Sequence, residues 1–270
     1  MISRRERTLN YAILTFFAVL SVMPLLGVVL AAVTPPGEAV QGFAIPADGV
    51  DLGNFVRVWR DADFGRALWT SFQMTAITVV LSTIASILAG YAFGTMRFPG
   101  STTIFYVFLI GLLMPFEATV IPVYYMMRWL GLTGTVWSVA LPSTSLSIAF
   151  GTFWMRAFFR SAPRPLMEAA RVDGASSLMV LRKILLPLAR PAVLTMILLI
   201  FMWTWNDFLY SLVMRLQTAP LTLAQFQGYR RADVSGIAAA AILVALPVFA
   251  IYVVLQRHFI RGMLAGSMKG

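Results

Sequence analysis

The sequence predicts an all-α, multi-pass membrane protein, and three observations carry that prediction. Of 270 residues, 59% are hydrophobic and only 12% charged, against about 25% charged in a soluble globular domain. Several apolar runs reach the roughly 20 residues that a helix needs to cross a bilayer. These runs are continuously apolar. Barrel strands would alternate in polarity, and lipid admits only helices or closed barrels because every backbone N–H and C=O must be satisfied internally.

The first span is expected over about residues 10–33, after Arg4, Arg5 and Arg7 and with Pro24 inside it. A cleaved signal peptide is the rival reading, since Ala31–Ala32 are small, but the run exceeds the usual 7–15-residue signal core. A polar stretch, 34–66, opens on Pro35-Pro36-Gly37, a loop signal. Within it Phe55, Val58 and Trp59 have helical spacing, which predicts a short amphipathic helix at the membrane surface. Further spans are expected at about 67–95, 103–127, 136–153, 187–214 and 236–256, with Pro115 and Pro122 interrupting the third and Pro142 inside the fourth. A basic loop occupies about 155–186, and the chain reads as a single transmembrane domain over 1–270 without a second soluble unit.

Six spans place both termini on one side. Positive residues favour the cytoplasm. With the termini inside, 14 of the 21 Lys and Arg fall on cytoplasmic segments and 7 outside; the opposite orientation inverts the bias. The net charge of +10 is thereby an orientation signal, and nucleic-acid binding is not expected. There is no Cys and a single His, His258. That removes disulfides, thiolate chemistry and histidine-based metal clusters, and no metal site is expected. Arg257, His258 and Arg261 read as membrane-surface anchors.

The loop carries the strongest local signals. It reads Glu168-Ala169-Ala170-Arg171-Val172-Asp173-Gly174, then nine residues, then Ile184-Leu185-Leu186-Pro187. Pro165 suits a helix first turn, where its missing N–H costs little, and Glu168 near that end is favoured by the helix dipole. Gly174 can end the helix in a left-handed conformation. Ser176 or Ser177 can cap a second helix, on which Leu178, Leu181 and Ile184 share a face, and Pro187 marks the entry to the fifth span. The prediction is a cytoplasmic helix–turn–helix with small residues, Ala169 and Ala170, where a partner backbone could approach closely.

This loop resembles the EAA loop of permease subunits in binding-protein-dependent ABC importers. That pattern is Glu-Ala-Ala, three residues, Gly, nine residues, Ile, any residue, Leu-Pro, and all seven fixed positions match from Glu168 to Pro187. Trp205-Asn206-Asp207-Phe208 and Leu130-Gly131-Leu132-Thr133-Gly134-Thr135 are similar to the sugar-importer branch, and the ending Gly262–Gly270 resembles the tail of the smaller maltose-type permease. The resemblance implies a type I ABC importer-like fold with six transmembrane helices and both termini cytoplasmic. It implies that Glu168, Ala169, Ala170, Gly174, Ile184, Leu186 and Pro187 couple to a cytoplasmic ATPase dimer. It implies a second, different permease subunit, an extracytoplasmic substrate-binding protein, and a place in a bacterial or archaeal inner membrane. No phosphate-binding Gly-x-x-x-x-Gly-Lys-Ser/Thr loop occurs in this chain. ATP and Mg are therefore expected on the partner ATPase, with no cofactor on this polypeptide and no catalysis by it.

Pathway candidates are Asn206, Asp207, Glu117 and Trp203. Intramembrane carboxylates face the bundle or a water-filled cavity, so Asp207 reads as a hydrogen-bonding partner with Asn206. Glu117 lies either in a discontinuous span of the kind that lines transport sites or beyond the span at the outer interface. Trp203 could stack on a sugar face or sit as an interfacial aromatic. An intramembrane enzyme using Glu117 and Asp207 is the alternative function, but neither has a His or Cys helper. A non-transporting scaffold subunit is the other. The solute itself is expected to be a sugar or related polar compound, on the resemblance alone.

Overall fold

The computed structural model of the chain describes residues 4–38, 42–230 and 232–267, with the side chains of residue 255 and of 257–267 outside the description. The surface-anchor reading of Arg257, His258 and Arg261, and the similarity at 262–270, fall on side chains that are not described. Every regular element among the described residues is helical: α1 (Arg4–Ala32), α2 (Gly53–Asp61), α3 (Phe64–Thr95), α4 (Ser101–Leu113), α5 (Phe116–Trp129), α6 (Trp137–Ser161), α7 (Arg164–Val172), α8 (Ser177–Val180), a π-helical turn (Leu181–Leu185), α9 (Leu186–Trp205), α10 (Leu209–Val213), α11 (Ala219–Tyr229) and α12 (Val234–Ser267). Four helical stretches are long and apolar enough to cross a bilayer, or five if the bent pair α4–α5 counts as one. The 25-residue α6 is outside that set. Its sequence is diluted by Ser138, Thr144, Ser147 and Thr152, all of them buried.

The chain divides into two compact units, Met1–Ala67 with Thr222–Pro247, and Leu68–Leu221 with Val248–Gly270. In the first, α1 is apolar on every side and exposed along its span, the pattern of a helix that lipid or a neighbour must cover. Its C-terminal carbonyls find a donor in the buried Asn54 of α2, whose Nδ2 donates to Ala32 O at 3.0 Å and Thr34 O at 2.8 Å; carbonyls at a helix end have no partner inside the helix. Arg57, one turn on, donates to Asn54 Oδ1 at 2.8 Å and to both oxygens of Asp233, at 2.7 and 3.1 Å. Asp233 in turn accepts from Gly236 N at the start of α12. The expected amphipathic helix is therefore present, and it ties the end of α1 to the beginning of α12. A cavity of about 650 Å³ beside this ion pair is lined by Glu38, Arg57, Tyr229 and Arg230 among others.

The second unit is built on close packing of α3 against α6. Thr78, Ser82, Ser86, Gly90 and Gly94 recur every four residues, which puts them on one stripe of α3. A Cβ at Gly90 would sit 2.5 Å from Met155 Cβ, one at Gly94 would sit 3.1 Å from Phe159 Cβ, and one at Gly151 would overlap Ser86 Oγ. Small residues of this kind let helix backbones approach where lipid offers no hydrophobic drive to association. Arg156, near the end of α6, is kept by Phe105, whose ring lies 3.7 Å from the guanidinium carbon, and by Phe93 O, which accepts from Nε at 3.3 Å.

Between α4 and α5 the chain turns by 99° at Met114–Pro115. Pro115 lacks an N–H and disfavours a helical conformation at the residue before it, and Met114 is extended at φ −69°, ψ 130°. The third expected span is accordingly a bent pair. Of the two prolines expected to interrupt it, only Pro115 does; Pro122 lies within α5. The helix at the fourth expected span runs further than expected, because α6 continues to Ser161 and the loop begins at Ala162.

Candidate functional site

The loop folds into an elbow. Pro163 is extended, Pro165 lies in the first turn of α7, and the helix ends at Val172. Asp173 N and Ala175 N then bond back to Ala169 O at 3.0 Å and Ala170 O at 2.9 Å. Gly174, at φ +80°, makes the left-handed residue that this cap needs. Ser176 caps α8, accepting from Met179 N at 3.3 Å. The elbow is fastened to α3 by Tyr91, whose hydroxyl donates to Ser177 O at 3.0 Å, and to the unit's core through Met167, Ala170, Val180, Leu181 and Leu185, packed with Met155 and Phe159.

Beyond Ser177 the backbone stays helical through α8, the π turn and α9. The fifth span therefore starts earlier than residue 187. Pro187 supplies a reason for the π turn: it cannot donate to the carbonyl four residues back, and its ring needs room there. Leu186 N bonds instead to Leu181 O. The three residues expected to share a face differ in burial. Leu181 and Leu185 are buried and Ile184 half-buried, whereas Leu178 is 65% exposed.

The motif residues divide by direction. Glu168, Ala169, Gly174 and Pro187 are exposed; Ala170 is buried, and Ile184 and Leu186 are half-buried against the core. The inward set holds the elbow on its unit, and the outward set forms a surface. Sequence reasoning missed Val172, 87% exposed between Arg171 and Asp173; its signal was an apolar residue on the polar side of an amphipathic helix.

The other candidates lie at the far end of α9. Here the apolar stretch of the fifth span reaches Val213, close to the expected end, but its helix breaks after Trp205 and a turn over 206–208 precedes α10. Asn206 is exposed and donates to Met202 O at 2.7 Å. Asp207 Oδ2 accepts from Ser211 N at 3.0 Å and from Ser211 Oγ at 2.8 Å, which fixes the start of α10. Tyr210 hydrogen-bonds Thr119 at 2.8 Å, joining α10 to α5. Glu117 is exposed in the first turn of α5, just past the bend. Trp203 is 55% exposed and meets Phe150 edge-to-face at 4.7 Å, while Trp205 is buried. The structure thus brings the elements bearing Asp207 and Glu117 together, and leaves Trp203 on a different surface of α9. No group of three or more acidic or His side chains able to hold a metal occurs among the described residues.

The sequence pattern of the inner membrane component of binding-protein-dependent transport systems matches residues 82–265. The chain belongs to that family. The osmoprotective compounds uptake permease of Synechocystis sp. is 33% identical over 97% of this permease and 91% of its own length. The arabinooligosaccharides transport permease of Halalkalibacterium halodurans is 32% identical, covering 97% and 95%. The trehalose transport permease of Mycobacterium tuberculosis is 29% identical, covering 95% and 98%. Among solved structures, a chain of a bacterial ABC transporter that imports the acidic polysaccharide alginate superposes with a TM-score of 0.79 at 26% identity, over 96% of this permease and 99% of that chain. The permease is an all-helical, multi-pass inner-membrane component with the type I ABC importer fold.

Proposed function

We propose that this permease forms, with a second and different permease subunit, the translocation pathway of an ATP-driven importer for a sugar or related polar solute. A cytoplasmic ATPase dimer, which carries ATP and Mg, docks on the elbow at Glu168, Ala169 and Gly174. An extracytoplasmic binding protein delivers the solute. The elbow is the observation that supports this most directly. Its outward half offers a small-residue surface, and its second helix runs without a break into α9. A partner's motion at α7 would therefore reach the span as a rigid displacement.

In this reading both termini lie in the cytoplasm and α6, the fourth in chain order, brings the spans to six. Its buried Ser and Thr face the bundle, where a span can be less apolar than one facing lipid. The solute class rests on relatives that carry trehalose, arabinooligosaccharides or osmoprotective compounds. Asp207, engaged by Ser211, and Asn206 shape the α9–α10 corner on or near the pathway.

The test is uptake and ATP hydrolysis measured together on the reconstituted complex. Glu168→Lys and Gly174→Asp are expected to abolish uptake while the chain still inserts and the ATPase alone keeps its activity. Uptake at the unaltered rate in both variants would remove the elbow from the mechanism. A chain that hydrolysed ATP by itself would refute the division of labour.

A further inference from the structure

At the opposite end of α6 from the elbow lies a cavity of about 550 Å³, lined by Tyr124, Arg128, Thr133, Gly134, Met214 and Arg215. Topology fixes its place within the second unit. Gly134 comes shortly before the first residue of α6 and the elbow follows its last, so the length of a 25-residue helix separates them. Its volume is in the range of small-ligand sites.

The chemistry of the lining is one-sided. Two arginines, a tyrosine and a threonine line one space, and no acidic residue lines it. Neither arginine has an ion-pair or hydrogen-bond partner for its side chain among the described residues, and the Tyr124 and Thr133 hydroxyls have none either.

The floor of the cavity is rigid. Met214 is fully buried in a core with Met127, Val139 and Tyr210, and its carbonyl accepts from Gly134 N at 2.9 Å. Arg215 is held at φ +59°, a left-handed conformation that costs a residue with a side chain about 1–2 kcal/mol. Residues kept in such conformations cluster at ligand clamps. A glycine would serve the turn better, so what recommends arginine here is its head group.

We propose that this cavity is an oxyanion site, in which Arg128 and Arg215, with the hydroxyls of Tyr124 and Thr133, hold a carboxylate or phosphate. Guanidinium forks match both groups and bind them through charge-assisted hydrogen bonds. The oxyanion has two possible sources, a small soluble anion or the headgroup of an anionic phospholipid, and the two make the same contacts.

The experiment uses the full chain in its complex, in nanodiscs of phosphatidylcholine, with unfolding followed by heating. In one arm inorganic phosphate or glucuronate replaces chloride at constant ionic strength. In the other arm phosphatidylglycerol replaces part of the phosphatidylcholine and no small oxyanion is added. The expected result is a rise in the unfolding midpoint in at least one arm, which names the source. Arg128→Gln should weaken the apparent affinity in that arm roughly ten- to hundredfold, the worth of a hydrogen bond to a charged group. Arg215→Gly is the second variant: it relieves the left-handed residue, so its midpoint without oxyanion should equal or exceed that of the unaltered chain while the response disappears. No rise in either arm, or a rise that both variants retain, would overturn the proposal.

Discussion

Gly174 shows how a single residue can carry two separable demands. Its φ of +80° requires a left-handed conformation, which costs other residues about 1 kcal/mol or more and asparagine less. A Cβ placed there meets nothing within 4 Å in this chain, so any steric conflict must come from a docked partner. The substitutions then separate the causes. Gly174→Asn should keep the cap and leave the melting temperature of the purified chain nearly unchanged. If close approach of the ATPase is the demand, it should still lose uptake in the reconstituted complex, as Gly174→Asp does. Uptake retained in Gly174→Asn alone would show that backbone conformation is all the glycine provides. The adjacent alanines make the complementary pair. Ala170 packs against the core and Ala169 faces out. Ala170→Leu is expected to overpack and to cost about 1–3 kcal/mol of stability, read as a lower melting temperature. Ala169→Leu should melt normally and fail in uptake.

At the level of elements, what the sequence made legible was whatever depends on neighbours along the chain. Pro165, Gly174 and Ser176 mark the start, the turn and the cap of the elbow, because prolines, glycines and capping serines act within three or four residues. The π turn at Leu181–Leu185 was not legible, since nothing local announces it except Pro187. The bend at Pro115 was legible as an interruption, but Pro122 looked equivalent, since a proline's effect depends on whether neighbours accommodate it. The Arg128–Arg215 cavity was illegible: it needs α5 and the chain after α10 to meet, and no spacing rule predicts that. The elbow's attachment to α3 likewise depends on a distant contact, Tyr91 to Ser177 O. Tyr91→Phe removes one hydrogen bond, worth about 1 kcal/mol, and leaves the ring in its edge-on contact with Phe159. It should lower uptake per ATP hydrolysed with little loss of folded protein. Equal losses of uptake and of folded protein would assign Tyr91 to stability only. Gly151→Leu, by contrast, forces α3 and α6 apart at Ser86 and is expected to abolish folded protein altogether, measured as detergent-extracted yield.

The whole molecule is a question of which way it faces. Charge counting puts 14 of 21 basic residues on the side of the termini, and the elbow and the two-arginine cavity lie at opposite ends of α6. With six spans, the positive-inside rule favours the cytoplasm for the termini and the elbow, and the cavity at the other end of α6 is then expected outside. The sequence contains no cysteine, so any cysteine introduced is the sole thiol and reports its own side of the membrane. Val172 and Tyr229 are each 87% exposed, and neither lies in the spans. Val172→Cys should react with a membrane-impermeant maleimide only after the cells are opened, and assembly with the ATPase should then protect it. Tyr229→Cys should react in intact spheroplasts. The reverse pattern would invert the orientation and remove the elbow from the ATPase altogether. Labelling of both sites from one side would mean an even number of crossings between them; since α9 with its α10 corner is the one long apolar stretch that separates them in the chain, the corner would then turn back within the membrane at Asn206–Phe208. The expected two-sided result makes α9 a complete crossing, with the drive applied at its Ser177 end and the Asp207 corner moved at the other.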